Sequence, residues 1–259
     1  MTKTVKRAVG NRNLLIELVK KGIRLKYRRS YLGIMWSLIE PILTTIVLVI
    51  VFGTLLGKGE GTFPLYIISG RLLYSFFSSS TKGAASSVRK NSSMIKKVYV
   101  PKYMYPLSQV LFNFVIFLIS LITLIGVAAY CRHCPSILYV WQVIPALVLL
   151  LMMTIGVGMI LATLMVFFRD IEYLWHVILM LIMYMCAIFY YPEKILKSAW
   201  APILNYNPLY CVINIFRGGL LDYYASTWCY IYATCFAVAA LVIGLLVFRW
   251  KQDEFILHI

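Results

Sequence analysis

The chain has 259 residues, of which 62% are hydrophobic and 13% are charged, and its mean hydropathy is +0.84. A soluble globular chain is about half apolar and about a quarter charged, so this composition excludes an ordinary soluble enzyme and indicates an all-α integral membrane protein. The formal net charge of +16 would suggest nucleic acid in a soluble protein, but basic residues on the cytoplasmic side of a membrane explain it better here.

The first 32 residues are polar and basic, and they carry no cleavable signal pattern of a short apolar core and a small-residue site. We therefore expect residues 1–32 to lie in the cytoplasm. Within them, residues 13–29 place apolar and charged side chains on opposite helical faces, which predicts an amphipathic helix in the plane of the membrane interface. Such a helix serves either as a surface anchor or as a docking surface for a partner, and the pattern leaves both open.

Residues 33–259 are predicted to form a single transmembrane domain, because they hold six apolar runs and little else. A helical span needs roughly 20 mostly apolar residues. The predicted spans are 34–56, 63–85, 107–130, 140–167, 174–190 and 230–248. This assignment places most of the 25 basic residues on one side of the membrane, with both termini in the cytoplasm, as the positive-inside rule requires.

Two charged side chains fall in or near the first two spans. Glu40 directly precedes Pro41, and Arg71 lies well inside the second span. An arginine in a span indicates either a functional site or a side chain that extends toward the outer interface. The Ser- and Gly-rich end of the same span, residues 78–83, is typical of closely packed helices.

Two segments between spans are neither apolar enough to cross a membrane nor simple loops. Residues 86–106 contain five basic residues and no acid, and Pro101 and Pro106 interrupt any long helix, so we predict a short helix that faces the cytoplasm. Residues 191–228 are moderately apolar but broken by three prolines, which predicts two short re-entrant helices in the outer leaflet between spans five and six.

The sequence offers few residues for enzyme chemistry. The nearest approach to a phosphate-binding P-loop, residues 53–58, is one residue too short and is followed by glycine, so we predict no ATPase site and no enzymatic activity in this chain. No spacing of histidines and acids indicates a metal site. Cys131 and Cys134 form a CxxC pair on a short external loop, for which a disulfide and incidental cysteines both remain open.

Aromatic residues make up 15% of the chain, and many lie near the ends of predicted spans, as in the aromatic belts of membrane proteins. The clusters at Tyr74–Phe77 and at 184–191 allow a second interpretation. Aromatic faces pack against the C–H faces of sugar rings, so these clusters are also candidates to line a path for a glycan. Both interpretations remain open.

Several short motifs, in this order along the chain, resemble the permease subunit of type-2 ABC exporters for cell-surface polysaccharides, such as O-antigen, teichoic acid and capsule. The resemblance covers nearly the whole chain. The motifs that carry it are YRRSYLGIMW (27–36) before Pro41, IKKVYVP (95–101) with Pro106, FRDI (168–171), YYP (190–192), Asn207-Pro208 and Phe216-Arg217.

The resemblance implies a homodimer in the bacterial cytoplasmic membrane, with two copies of a separate ABC ATPase and a channel at the dimer interface. It implies an undecaprenyl-diphosphate-linked glycan as substrate, which enters from the inner leaflet. It also implies that this chain binds no cofactor or metal, because ATP and Mg²⁺ are held by the partner ATPase.

The candidate site residues fall into three groups. The ATPase coupling residues implied by the resemblance are Ser87, Arg89, Lys90, Met94, Ile95, Lys96, Lys97 and Tyr99. The residues expected to meet the lipid diphosphate where it enters are Tyr27, Arg28, Arg29 and Ser30. The channel or gate candidates are Trp36, Glu40, Arg71, Tyr74, Phe77, Tyr184, Phe189, Tyr190, Tyr191, Asn207 and Arg217.

Two alternatives have the same composition. One is a type-2 ABC permease for a drug or for another lipid-linked molecule. The other is a membrane-embedded polyprenyl-phosphate transferase, which would need acids or histidines clustered at one membrane face. The acidic pairs Asp170 with Glu172 and Asp253 with Glu254 are the nearest to such a cluster, and both resemble solvated span ends.

Overall fold

The computed structural model describes residues 3–28, 30–56, 61–96 and 100–255. These residues form helices and turns, with no β-strand among them, as the composition predicted. The α-helices are α1 (Lys3–Tyr27), α2 (Trp36–Leu56), α3 (Phe63–Lys90), α4 (Ser92–Ile95), α5 (Met104–Tyr130), α6 (Ile137–Val140), α7 (Val143–Phe167), α8 (Ile171–Met185), α9 (Glu193–Leu196), α10 (Ala201–Asn205), α11 (Pro208–Leu220) and α12 (Thr227–Lys251), and a 3₁₀ turn (Gly33–Met35) precedes α2.

Within the described residues, four helical segments are long and apolar enough to cross a membrane. These segments are Gly33–Gly53, Met104–Tyr130, Ile137–Phe167 and Thr227–Lys251, and they correspond to the predicted first, third, fourth and sixth spans. The predicted second span lies in α3, a helix of 28 residues with polar side chains along one face. The predicted fifth span lies in α8, an apolar helix of 15 residues.

The helix α8 ends at Met185 rather than at residue 190, where the predicted fifth span ended. Residues 186–192 leave the helical path, and Ala187 has a φ of +47°, which a residue with a side chain adopts only at some cost. Arg217 of α11 donates to the carbonyl oxygen of Ala187. A residue 30 positions away therefore stabilises the break, and local sequence pattern does not reveal it.

The helix α3 lies at the centre of the bundle, against α5 and α7, with α2, α8 and α11 alongside. Most of its side chains are buried. Arg71 is half-buried and Ser75, Ser79 and Lys82 are exposed, and all four fall on one helical face because residues three or four apart are neighbours there. We call these four residues the polar stripe of α3.

Small residues bring two of the helix pairs into close contact. Gly156 of α7 faces the backbone of Ala240 in α12, and Gly244 of α12 faces the backbone of Gly156, so a Cβ atom at either glycine would collide with main-chain atoms. Gly83 of α3 has a similar role, because a Cβ atom there would lie 3.3 Å from Oε1 of Gln109 in α5. The close packing predicted for residues 78–83 is confirmed.

The N-terminal helix α1 begins at Lys3 and includes most of the predicted amphipathic segment 13–29. It packs on α5, where Gly22 faces the ring of Phe112. Within residues 12–28 its charged side chains are exposed, and Glu17 and Lys20 form an ion pair of 2.9 Å. The amphipathic pattern is present as predicted, but the face with Gly22 packs on α5 rather than facing lipid.

The segment between α8 and α12 contains three helices rather than the predicted two. The first two, α9 and α10, are single turns. The third, α11, is a helix of 13 residues that is almost entirely buried against α7, α12 and α3. The prolines at 192, 202 and 208 stand just before or at the start of these helices, where the missing N–H group of proline costs nothing.

Candidate functional site

A polar pocket of about 200 Å³ lies where α1, α2, α3 and α5 meet. The polar stripe of α3 forms one wall through Arg71, Ser75 and Ser79. The opposite wall comes from α2, where Glu40 and Thr44 are one helical turn apart. Polar side chains thus converge between helices whose other faces are apolar.

Four residues predicted separately from the sequence line this pocket. Tyr27 comes from the end of α1, Trp36 and Glu40 from the start of α2, and Arg71 from α3. The hydroxyl of Tyr27 is buried and has no hydrogen-bond partner among the described residues. The structure therefore joins one residue expected to meet the lipid diphosphate with three expected to line a channel.

The remaining residues of the predicted diphosphate patch lie elsewhere. Arg28 is exposed on a shallow groove of α1, beside Glu17 and Arg24, and does not line the pocket. Ser30 is half-buried, and its Oγ accepts a 3.2 Å hydrogen bond from the backbone N–H of Gly33 at the turn before α2. Arg29 lies outside the described residues.

Three charged side chains share the pocket without forming an ion pair with one another, within the part of the chain that the structure describes. They are Lys26, Glu40 and Arg71. Partial burial lowers the pKa of the Lys26 ammonium, and the nearby carboxylate of Glu40 opposes that shift. Burial raises the pKa of the Tyr27 hydroxyl. The negative charge of Glu40 therefore acts on both Lys26 and Tyr27.

Several pocket residues were missed from the sequence. They are Lys26, Ser37, Thr44, Ser75, Ser79, Asn113 and Ser120. The spacing of Arg71, Ser75 and Ser79, four residues apart in an apolar helix, was the signal that could have found the α3 wall. Ser120 was not recognisable, because its hydrogen bond to the carbonyl of Ser37 joins α5 to α2 across 83 positions.

The aromatic channel candidates on α3 pack into the core. The Tyr74 hydroxyl donates a 2.8 Å hydrogen bond to the carbonyl of Leu179 in α8, and Phe77 meets the edge of Trp175 with ring centroids 6.3 Å apart. Both side chains are buried. In this chain they hold α3 against α8 and do not reach the pocket.

The aromatic candidates after α8 are divided between core and surface. Phe189 is buried and stacks on Phe52 of α2, with ring centroids 5.2 Å apart. Tyr191 packs against the ring of Tyr66, 4.8 Å away. Tyr184 is exposed, and its carbonyl accepts a hydrogen bond from the hydroxyl of Tyr190. Tyr184 is thus the member of this cluster that presents its ring to the surroundings.

Arg217 is buried to 1% exposure, and its guanidinium binds backbone rather than acids. Nη1 donates to the carbonyl of Ala187 at 3.0 Å, and Nη2 donates to the carbonyls of Tyr66 at 3.0 Å and Ile188 at 3.5 Å. The guanidinium also lies 3.4 Å from the centre of the Tyr66 ring, a cation–π contact. Gly70 leaves the space that this arrangement needs.

Asn207 joins the end of α8 to the start of α11. Its Oδ1 accepts from the backbone N–H groups of Leu209 and Tyr210, which is an N-cap, and Pro208 occupies the first helical position. Its Nδ2 donates to the carbonyl of Met185 at 3.1 Å. The predicted gate residue therefore bridges two helix ends.

We expect Asn207→Ala to lower the free energy of unfolding by about 1–2 kcal/mol, because the cap and the bond to Met185 are both lost. Thermal unfolding of the purified protein in mild detergent measures the change. Asn205→Ala is the matched control, since the Asn205 side chain makes no hydrogen bond in the described part of the chain. Equal midpoints for the two variants would contradict the bridging role.

The predicted coupling residues lie at the end of α3 and on α4. Arg89 forms a 2.7 Å ion pair with Glu172 at the start of α8, while Ser87 is buried and donates to the carbonyl of Ala84. Lys90, Met94 and Lys96 are exposed. Lys97 and Tyr99 lie outside the described residues. The polar segment thus begins as a continuation of α3, and the separate helix α4 is a single turn.

The C-terminal end of the described chain packs against the segment that holds the predicted coupling residues. Phe255 is fully buried between Phe248 and Phe167, with ring centroids 5.2 and 6.1 Å away. Ile95 of α4 packs on the same cluster. Lys102 donates to the carbonyl of Gln252. The end of α12 and the segment before α5 therefore pack against each other.

Comparison with known proteins gives one family and several full-length relatives. Residues 13–221 match the family described as ABC-2 type transporter. The O-antigen export system permease protein RfbA of Klebsiella pneumoniae is 29% identical over 248 residues, 94% of this chain and 93% of the relative. RfbA of Myxococcus xanthus is 28% identical over 84% of each chain, and the polysialic acid transport protein KpsM of Escherichia coli is 22% identical over 91% of this chain and 92% of the relative.

Proposed function

Because this chain belongs to the ABC-2 type transporter family, we propose that it is the membrane-spanning permease of an ATP-driven exporter that moves a lipid-linked polysaccharide across the bacterial cytoplasmic membrane. The observation that carries the proposal is similarity over 94% of the chain to a permease named for O-antigen export. KpsM, named for polysialic acid transport, is similar over 91% of the chain. The substrate class common to these relatives is polysaccharide.

The proposed topology has six spans, with both termini in the cytoplasm. The helix α3 would be about 42 Å long at 1.5 Å per residue, longer than the hydrocarbon core of a bilayer, which is about 30 Å thick. Its polar stripe lowers its hydropathy and would face a water-filled path rather than lipid. The shorter helix α8 would cross together with the non-helical segment that follows it, whose carbonyls Arg217 binds. The helices α9–α11 would be the re-entrant outer gate.

A homodimer with a channel between its subunits is the arrangement that we propose. Apolar side chains of α2 and α8 are exposed in the single chain, and of α8 only Leu179 is buried. Arg71 contacts Met183 of α8 and shares the pocket with α2, so the polar stripe lies between these two helices. A second copy covering the apolar faces would enclose the stripe, and this supports a channel there.

The substrate would be a glycan linked to undecaprenyl diphosphate, which enters beside α1 and α2. Trp36 and Tyr27 at the cytoplasmic end of the pocket offer an aromatic face and a hydroxyl, and Lys26 offers a positive charge. A drug or another lipid-linked molecule is the alternative substrate. The names of the full-length relatives favour polysaccharide.

A polyprenyl-phosphate transferase has less support in the described structure. Glu172 is paired with Arg89, and Glu254 is paired with Lys251 at 2.8 Å. One member of each acidic pair in the sequence is therefore engaged in an ion pair rather than facing a pocket. Within the described residues, no group of three or more histidine, cysteine or acidic side chains is placed to hold a metal ion.

Energy would come from two copies of a partner ABC ATPase, which would hold ATP and Mg²⁺. Residues 87–99 would dock on that partner, and α1 would support the contact. The Arg89–Glu172 ion pair supports this proposal, because it joins the docking segment to the start of α8, whose far end reaches the proposed gate. The pair is exposed, so its contribution to stability is small and its role would be to transmit motion.

Replacing Lys96, Lys97 and Tyr99 together with alanine is expected to abolish export while leaving the folded dimer intact. The three side chains would contact the ATPase rather than the rest of this chain. Export is measured as surface polysaccharide, and the dimer by size-exclusion chromatography. Tyr130→Ala with Arg132→Ala, both exposed at the end of α5 and outside the proposed gate and docking segment, is the control and should export normally. Normal export by the triple variant would refute the docking segment.

The whole proposal is tested by purifying the tagged protein from its native membranes in mild detergent and assaying ATPase activity in the eluate. An ABC ATPase recovered in equal amount establishes the exporter. A chain that elutes alone, even after crosslinking in the membrane, would remove the energy source and revive the transferase alternative.

A further inference from the structure

Two arginines lie within the helical bundle, and their surroundings differ. Arg217 is 1% exposed and donates to the carbonyls of three residues, so its charge is stabilised by the protein itself. Arg71 is half-buried on the polar stripe of α3 and makes one polar contact, 3.6 Å from its Nη1 to the sulfur of Met183. A thioether is a weak acceptor, so most of the five N–H donors of Arg71 remain available.

No acid of the described chain offsets the charge of Arg71 at close range. Its nearest aromatic contact, the ring of Tyr74, lies 5.9 Å away. Glu40 lines the same pocket but is more than 4.0 Å from the guanidinium, since no salt bridge joins them in the described residues. Lys26 lines the same pocket, so two positive charges and one negative charge share it. The described lining of the pocket therefore has a net positive charge.

The groups around Arg71 are suited to an oxygen-rich ligand. Ser75 and Ser79 are exposed on the same face of α3, and their hydroxyls have no partner in the described structure. Thr44 uses its hydroxyl hydrogen on backbone carbonyls of its own helix, which leaves its oxygen as an acceptor. An unpaired arginine at membrane depth is costly, by about 3 kcal/mol on insertion scales, so a ligand that pairs with it would be strongly favoured.

We propose that Arg71, with Ser75 and Ser79, forms a binding site for an anionic group of the exported substrate: a phosphate of the lipid carrier or a carboxylate of an acidic sugar. This inference rests on the proposed function for the source of the ligand. Arginine binds both groups through paired N–H donors. A pocket of about 200 Å³ is below the range of drug-sized sites, so it holds one such group with its adjoining sugar rather than a length of chain.

The site is tested on the purified full-length protein in lipid nanodiscs, without the ATPase, so that the result does not depend on whether an ATPase is found. The probes are geranyl diphosphate, for the lipid carrier, and glucuronate, for an acidic sugar, with geraniol and glucose as neutral counterparts. Binding is measured by calorimetry at low and high salt. We expect saturable binding of one anionic probe, no binding of its neutral counterpart, and weaker binding at high salt.

Variants identify the residues. Arg71→Gln is expected to weaken binding of the anionic probe about tenfold or more. Arg71→Lys keeps the charge and is expected to weaken binding less. Arg169→Gln removes the same charge from an exposed turn between α7 and α8 and should leave binding unchanged. Glu40→Gln is expected to tighten binding about threefold, because it removes a negative charge from the pocket.

Arg71→Gln is expected to weaken binding of the probe and Glu40→Gln to tighten it. If the two residues had only a structural role, both substitutions would weaken binding. Monodisperse elution of each variant confirms that it is folded. Binding of geranyl diphosphate assigns the site to the carrier, and binding of glucuronate assigns it to the sugar. Binding of neither probe, or equal binding by wild type and Arg71→Gln, would overturn the proposal.

Discussion

Gly156→Leu is expected to prevent α7 and α12 from packing, and to leave little or no folded protein in the membrane. A Cβ atom at Gly156 would overlap the carbonyl carbon of Ala240, so even one added carbon collides with main-chain atoms that cannot move as a side chain can. Overpacking a well-filled core costs about 1–3 kcal/mol, and backbone contacts allow less relief than side-chain contacts. Helix pairs in membranes depend on such close approach for their attraction.

The yield of monodisperse protein in mild detergent and its thermal midpoint measure this effect. Gly126→Leu in α5 is the matched control, because a Cβ atom there meets open space, with nothing within 4 Å. The yield and thermal midpoint of Gly156→Ala should lie between those of Gly156→Leu and Gly126→Leu. Wild-type yield and midpoint for Gly156→Leu would show that α7 and α12 are not in backbone contact in the folded protein.

Arg217→Met is expected to destabilise the protein by about 3 kcal/mol or more. The substitution removes hydrogen bonds from a charged donor to three buried carbonyls, and such bonds contribute about 1.5–3 kcal/mol each. The carbonyls of Tyr66 and Ala187 keep hydroxyl donors, from Ser69 and Tyr66 respectively, whereas the carbonyl of Ile188 loses its side-chain donor. Arg217→Lys should recover only part of the loss, because a single ammonium cannot reach three carbonyls at once. Methionine fills a similar volume, so the loss is due to hydrogen bonding rather than to a cavity.

Thermal unfolding and limited proteolysis between α8 and α11 measure the outcome, and Arg249→Met on the exposed last turn of α12 is the control. Gly70→Ala provides an independent check. A Cβ atom at Gly70 would lie 2.5 Å from Nη2 of Arg217 and would displace the guanidinium. The double variant Gly70→Ala with Arg217→Met should therefore be only slightly less stable than Arg217→Met alone. Additive losses, or a wild-type midpoint for Arg217→Met, would contradict the role assigned to Arg217.

Four residues of the candidate pocket were predicted from the sequence, each for its own reason. Glu40 and Arg71 were recognised because charged side chains are rare in apolar spans, and Trp36 and Tyr27 because they belong to the motif at residues 27–36. Their common location was not predictable, since it depends on how α1, α2, α3 and α5 pack together. Asn113 and Ser120 looked like ordinary residues of an apolar span until α5 placed them at the back of the pocket.

Arg217 is the opposite case. It was chosen from a motif as a gate residue, and the fold places its guanidinium on backbone carbonyls of residues 66, 187 and 188. Whether that clamp also moves during transport stays a prediction. The sequence near residue 217 does not indicate these partners. Two of them lie in the non-helical segment after α8, and one lies in α3.

The sequence by itself determined the class of protein, four of the apolar helices that can cross a membrane and the amphipathic N-terminal helix. These depend on composition and on periods of a few residues, which are local properties of a chain. Only the tertiary structure decided where α8 ends, which side of α3 stays polar, and that the arginines at 71 and 217 have different surroundings. Those outcomes depend on contacts between residues that lie tens of positions apart, and no local pattern records which helix will supply the partner.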